Sequence, residues 1–382
     1  MHFDKLPPLS LYIHYPWCEK KCPYCDFNSH ENVERPERSY IDALLLDLER
    51  DLHYVQGRVV ETLFIGGGTP SLIAPKNLKL LMAGLAARLD LSPNLEATME
   101  ANPGSAESEK FEIFRSAGIN RLSLGVQSFQ NSQLEKLGRV HNSDQAHSAI
   151  ELAKKAGFVN FNLDLMHGLP GQSVENACRD IEAALSHHPT HLSWYQLTIE
   201  PNTVFHSKPP RLPTEDTLAD IQHGGEKFLS DAGFKQYEVS AYHQSDLTCR
   251  HNLNYWNFGD YLGIGAGAHG KVTLSNGEIV RYSKRKQPGE YIGNSETNFH
   301  SQTRVLQPQD IPGEFMMNAL RLNAGFSLEQ FKTMTGLPIH SIETVLDKLL
   351  DRKLLQREAD QINTTELGAN FLDSVTAEFL AD

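Results

Sequence analysis

Long apolar runs are missing from this 382-residue chain, and so is any excess of positive charge. No stretch is long enough to span a bilayer. The opening MHFDKLPPLSLYIHYPWC lacks a basic segment followed by an apolar one, so no secretory signal is expected. Lysine and arginine number 35 against 48 acidic residues, a formal net charge of −13. That balance argues against a mainly electrostatic grip on nucleic acid or on an anionic membrane. Low-complexity tracts and repeats of solenoid period are absent too. Cysteine is scarce, with five residues in all. Without an export signal, this speaks against a disulfide framework and for a reducing, cytoplasmic setting.

What is present is an alternation. Strand-like apolar runs fall at Leu11–Tyr15, Thr62–Ile65, Glu96–Ala101, Arg121–Val126, Asn160–Met166, His191–Ile199 and Tyr237–Ala241. Helical patterns lie between and after them: Ser39–Leu52, Pro75–Leu89, Ala106–Ala117, Ser143–Ala156, Val174–Leu185 and Glu215–Ala232. Gly118, Gly157 and Gly233 stand where three of these helices should stop. Strict alternation implies right-handed βαβ units and a parallel sheet, hence an α/β fold. Residues 1–242 make this core. Residues 243–305 read as an irregular Gly- and aromatic-rich segment with a turn at Ser275-Asn276-Gly277. Residues 306–382 read as helices at Asp310–Leu322, Ser327–Thr335 and Ser341–Arg352, then a β-wing at Leu354–Gln356 and Gln361–Asn363, an order like a winged helix.

Three of the five cysteines fall within eight residues, in Cys18-Glu-Lys-Lys-Cys22-Pro-Tyr-Cys25. Three thiolates on one loop suit an iron–sulfur cubane with one iron left uncapped. They also suit zinc, with His14 or His30 as fourth ligand, or three buried structural thiols; spacing alone leaves all three readings open. Other polar residues cluster just after strands, the edge where an α/β barrel carries its chemistry. Gly66-Gly67-Gly68-Thr69-Pro70 follows the second strand, with no Lys-Ser/Thr to make it a phosphate loop. Glu100 precedes an irregular Ala-Asn-Pro exit. Gln127 follows the fourth strand, Arg139 lies in Gly-Arg-Val-His, and Asp164 sits among apolar residues where a charge needs a partner. Gly265-Ala-Gly267-Ala-His-Gly270 formally fits a dinucleotide fingerprint, but no βαβ unit follows it, so close backbone packing is the expected role.

The C-x3-C-x2-C spacing with an aromatic before the third cysteine resembles the radical S-adenosylmethionine (SAM) superfamily. The other motifs in register, with Tyr12 six residues before Cys18, resemble its coproporphyrinogen III oxidase-like branch over almost the whole chain. The resemblance implies a partial (β/α) barrel with a small C-terminal winged-helix-like domain. It implies that Cys18, Cys22 and Cys25 hold a 4Fe-4S cluster. It further implies that Tyr12, Gly67, Gly68, Thr69, Glu100, Gln127, Arg139 and Asp164 surround SAM.

Within that branch the enzymes carry a further cysteine two residues after the third cluster cysteine, where this chain has Phe27, and a longer stretch before the motif than the 17 residues found here. The chain is more similar to the haem-chaperone group, through His251-Asn252-Leu253-Asn254-Tyr255-Trp256. Imidazole ligates haem iron and the aromatic rings offer flat faces, so His251 is the candidate haem ligand. Cys249 is weighed as a soft ligand or a plain buried thiol. Arg250 and the basic group Arg281, Lys284, Arg285 and Lys286 are weighed against haem propionates or as a solvated hairpin. The resemblance implies haem as cargo, SAM cleavage retained, and delivery to a haem-accepting protein, respiratory in kind, with membrane contact only transient and through that partner. Homodimerisation is compatible with it, though no residue is assigned. Coproporphyrinogen III oxidation is the alternative. A DNA-binding haem or redox sensor is the remote one, since the stretch His340–Leu350 offers only Lys348 as a cation.

Overall fold

In the computed structural model, which describes residues 1–31, 34–104, 110–294 and 298–381, six strands follow one another side by side. They are β1 (Leu9–Tyr15), β2 (Val60–Gly67), β3 (Leu91–Ala101), β4 (Arg121–Gln127), β5 (Asn160–His167) and β6 (His191–Gln196), all parallel. Helices α1 (Glu37–Asp51), α2 (Pro75–Ala86), α3 (Phe111–Ser116), α4 (Ser143–Lys155) and α5 (Val174–Leu185) make the crossovers, and α6 (Glu215–Asp231) follows β6. The first part of the helix expected at Ala106–Ala117 lies outside the described residues. Leu11, Ile13, Leu63, Ile65, Leu122 and Leu124 are buried under this helical layer, as a parallel sheet covered by helices requires.

Tyr237–Ala241, read as one strand, is a reversal. β7 (Lys235–Glu238) and β8 (Ala241–His243) pair antiparallel across Val239-Ser240, and β8 pairs antiparallel with β6. The apolar pattern runs straight through a two-residue turn that carries no glycine, so the sequence hides it. The described residues between 243 and 305 are also more regular than expected. After α7 (Arg250–Trp256), β9 (Asp260–Ile264) joins parallel to β1. β10 (His269–Thr273), β11 (Ile279–Lys284) and β12 (His300–Val305) then extend the sheet antiparallel, with the turn at Ser275-Asn276-Gly277 joining β10 to β11. Short strands between Gly-rich turns carry too little periodicity to be read. The twelve-strand order is β12-β11-β10-β9-β1-β2-β3-β4-β5-β6-β8-β7. It has two ends, so the barrel is partial.

The chain from α8 (Ile311–Ala319) through β13 (Phe326–Ser327), α9 (Leu328–Thr335), α10 (His340–Asp351), β14 (Leu355–Glu358) and β15 (Gln361–Thr364) has helix and wing in the order foreseen. This unit has its own core around Phe315, Phe331 and Leu349, to which Phe258, in the turn after the helix Arg250–Trp256, and Ile279 of the sheet contribute. It docks on the barrel's open side through Arg281 and Arg304 to Glu314, Arg321 to Glu238, and a backbone bridge between Leu322 and Glu238. Among the described residues no helix is long and apolar enough to cross a membrane.

Candidate functional site

A deep cleft opens at the C-terminal ends of the parallel strands. Its volume is about 350 Å³, within the roughly 300–1,000 Å³ of small-molecule sites. Cys18, Cys22 and Cys25 line one wall, and Gly67–Thr69, Glu100, Gln127, Arg139 and Asp164 line the rest. Of the expected SAM set, only Tyr12 stays off the wall. It donates to His14 Nδ1 at 3.0 Å, while His14 Nε2, at 2.8 Å from the Asn28 carbonyl, must carry the proton. Burial lowers the His14 pKa to about 4, so the ring is neutral. Tyr12 therefore acts one step back, through a histidine lying beneath Gly67.

The glycine turn is shaped by what it touches. Gly68 N donates to Tyr15 O (2.7 Å) and Thr69 N to Trp17 O (2.8 Å), which zips the turn onto the segment entering Cys18. A Cβ on Gly68 would sit 2.5 Å from the Trp17 carbonyl oxygen. One on Gly67, at φ +117°, would sit 2.8 Å from His14 Cε1. From the other side, Asn28 Nδ2 donates to the carbonyls of Ala266 and Lys286 (2.8 and 2.9 Å). A Cβ on Gly267 would lie 2.4 Å from that nitrogen. The second Gly-rich stretch thus clasps the cysteine loop, which is the close packing anticipated for it.

Arg139 reaches across the cavity to the loop. It donates to Asn102 Oδ1 (2.5 Å), Gly125 O (2.7 Å) and Cys22 Sγ (3.6 Å), which ties the cysteine loop to β4. Among the described residues no three His, Cys, Asp or Glu side chains converge as single-ion ligands. Both nitrogens of His14 are engaged, so it is not free to complete a zinc site. In a cubane each cysteine binds a different iron, and the loop's three thiols at a cavity mouth fit that donor set.

Glu100 and Asp164 are both buried in the interior. Burial first, then Asp164, pushes Glu100 up to about 8, although Gly67 N donates to it at 3.1 Å. Asp164 is raised by burial and partly restored by Ser123 Oγ (3.0 Å) and Asn162 Nδ2 (2.7 Å). Two neutral side chains thus partner it from within the protein, where its position had suggested a ligand or an arginine. Gln127 ends β4 at φ +68°, a strained conformation for a side chain of its size, just past a register shift. Its Oε1 accepts from Tyr195 OH at 2.8 Å.

His251, expected as a haem ligand, is not in the cavity. It is 1% exposed inside the barrel, with Nδ1 at 2.8 Å from Thr62 Oγ1 and Nε2 at 3.2 Å from Tyr255 OH. Both nitrogens are committed, and burial keeps the ring neutral with a pKa lowered to about 3. Its neighbours on the same helix, Asn252 and Trp256, do line the cavity. Cys249 is a plain buried thiol near Glu96. The basic group does not form a surface patch: Lys284 is buried between Asp47 and Asp51 at 2.6 Å each, and Arg281 pairs with Glu314.

Ser123, Ser193, Tyr195, Glu238 and Arg321 also line the cavity and were not anticipated. A signal existed for the first three. In Arg121-Leu-Ser123-Leu-Gly125-Val-Gln127 and His191-Leu-Ser193-Trp-Tyr195, polar residues or glycine alternate with apolar ones, and period two marks an inward polar face. Glu238 and Arg321 come together only through domain docking.

A family model of the Radical SAM superfamily matches residues 12–184, and one of the HemN C-terminal domain matches residues 306–371. Among solved structures, coproporphyrinogen III oxidase (HemN) from Escherichia coli superimposes with a TM-score of 0.82 at 22% identity, covering 98% of this chain and 91% of that one. Fold and cysteine loop together define a radical SAM protein. The sequence is 49% identical over 99% of the chain and 100% of its counterpart to a protein named heme chaperone HemW in Escherichia coli, and 46% identical over 99% of each to one in Haemophilus influenzae. This chain belongs to the HemW family.

Proposed function

We propose that this protein binds haem at the mouth of the radical SAM cavity and passes it to an acceptor haemoprotein. The observation that carries this reading is the placement of α7: the helix of the His-Asn-Leu-Asn-Tyr-Trp motif forms a wall of the cavity through Asn252 and Trp256. The name of the relatives in the same family supports it. In this reading Cys18, Cys22 and Cys25 would hold a 4Fe-4S cluster, one iron to each thiolate. The loaded cluster supplies one-electron reduction of SAM. Around it the chain's own residues position and exclude. Arg139 offsets thiolate charge at Cys22, Gly67 and Gly68 let the backbone approach closely, and Glu100, Gln127 and Asp164 present acceptors to hydroxyl and amino groups. Trp256 offers a flat apolar face to a macrocycle. His251 holds α7 in place instead of ligating iron.

The test is an anaerobic haem titration of the cluster-reconstituted protein, followed by its Soret band, beside Trp256→Ala. Saturable binding, weakened about tenfold or more in the variant, is expected. SAM-dependent decarboxylation of coproporphyrinogen III by the wild type, with no saturable haem binding, would replace this reading with the oxidase.

A further inference from the structure

Arg321 belongs to the C-terminal unit, two residues beyond α8, yet its side chain lines the barrel cavity. One nitrogen meets Glu238 (Nη2–Oε2 3.1 Å), and the guanidinium carbon lies 4.5 Å from the centre of the Trp256 ring. Its Nε is buried without a hydrogen-bond partner, and so is the indole Nε1 of Trp256. Two orphaned donors on adjacent side chains of one cavity wall are costly unless an acceptor arrives. Guanidinium has five N–H groups in a planar fork suited to a carboxylate. Glu238 is prepared to release it, because its other oxygen accepts from Ser240 N and Oγ at 3.1 Å each.

Among the described residues lining the cavity, the other cations are Lys20 and Arg139. Lys20 is exposed. Arg139 also has a buried, unpartnered Nε, but both of its terminal nitrogens are spent, Nη1 on Cys22 and Nη2 on Asn102 and Gly125, so no free fork is left for a carboxylate. The geometry points to Arg321, backed by Trp256, as the residue that recognises a ligand's carboxylate in this cavity. Resting on the haem reading, that carboxylate is a propionate, and the Arg321–Glu238 pair is the latch it competes with.

Anaerobic titrations with haem and with haem dimethyl ester, whose propionates are neutral, test this in wild type, Arg321→Gln and Glu238→Gln. Haem should bind Arg321→Gln about tenfold or more weakly than wild type. The diester should bind wild type and Arg321→Gln alike, at that weaker level. Glu238→Gln should tighten haem several-fold by freeing the guanidinium, whereas a purely structural pair would weaken it by loosening the domain contact. Equal affinities of wild type for haem and diester, or unchanged haem affinity in Arg321→Gln, would overturn the assignment while leaving the haem reading intact. Failure of wild type to bind either ligand would overturn both. The diester and Glu238→Gln comparisons keep the question answerable should Arg321→Gln fold poorly.

Discussion

Single atoms decide the cysteine loop's position. Gly68 carries no side chain because its backbone hydrogen-bonds alongside Tyr15–Trp17, and a methyl group there meets the Trp17 carbonyl at 2.5 Å. Gly68→Ala should cost roughly 1–3 kcal/mol through forced backbone movement. More tellingly, it should lower the cluster absorbance recovered on anaerobic reconstitution, with Cys22→Ser as the reference for complete loss. Full cluster recovery in Gly68→Ala would show that the turn is a spectator. The cysteines and the glycine turn were legible in the sequence because each is local, a spacing within one loop. Glu100 and Asp164 were legible as positions, but the burial that raises both, and the field of Asp164 on Glu100, exist only once β3 and β5 face a shared interior.

At the level of elements, α7 is the part whose role changed most between sequence and structure. Its motif reads as a haem-ligating histidine followed by aromatic rings. In the fold, Glu96 accepts from the backbone N–H groups of Arg250 and His251 at the helix start, and His251 plugs the barrel beneath Phe64. His251→Ala removes two hydrogen bonds and leaves a cavity, so a loss of about 2–4 kcal/mol is expected in urea unfolding at pH 7. The sign of its pH dependence follows from the lowered pKa. The unfolded chain takes up a proton near pH 6.5, whereas the folded ring resists until about pH 3. Wild type therefore loses this contribution as pH falls from 6.5 toward 3, and the deficit of His251→Ala should shrink over that window. A deficit that grows on acidification would contradict the buried neutral ring. No spacing rule could reveal this, because the ring's partner Thr62 lies on a strand far away in sequence.

For the whole molecule, the decisive contact is between the barrel's open side and the C-terminal unit. Glu314 holds Arg281 (2.5 Å) and Arg304 (2.7 Å) from the extended sheet. Glu314→Ala should cost about 1–3 kcal/mol, and calorimetry should show the single unfolding endotherm broaden or split as the two cores uncouple. An unchanged endotherm would mean that the apolar contact through Phe258 and Ile279 suffices. The same unit is poorly suited to DNA, since Lys348 of α10 and Arg352 just beyond it are both held by Glu378 at 2.6 Å.

The sequence by itself determined the alternation of strand and helix, the cysteine loop, the glycine turn and the family to which they belong. These are local patterns, set by side-chain period and by residues a few positions apart. Only the tertiary structure decided that Tyr237–Ala241 reverses, that 243–305 completes the sheet, and that His251 faces inward while Trp256 faces the cavity. It alone brought Arg321 to Glu238. Each of these depends on which surfaces meet across large sequence separations. That choice is made by burial of two cores against one another, and no single segment encodes it.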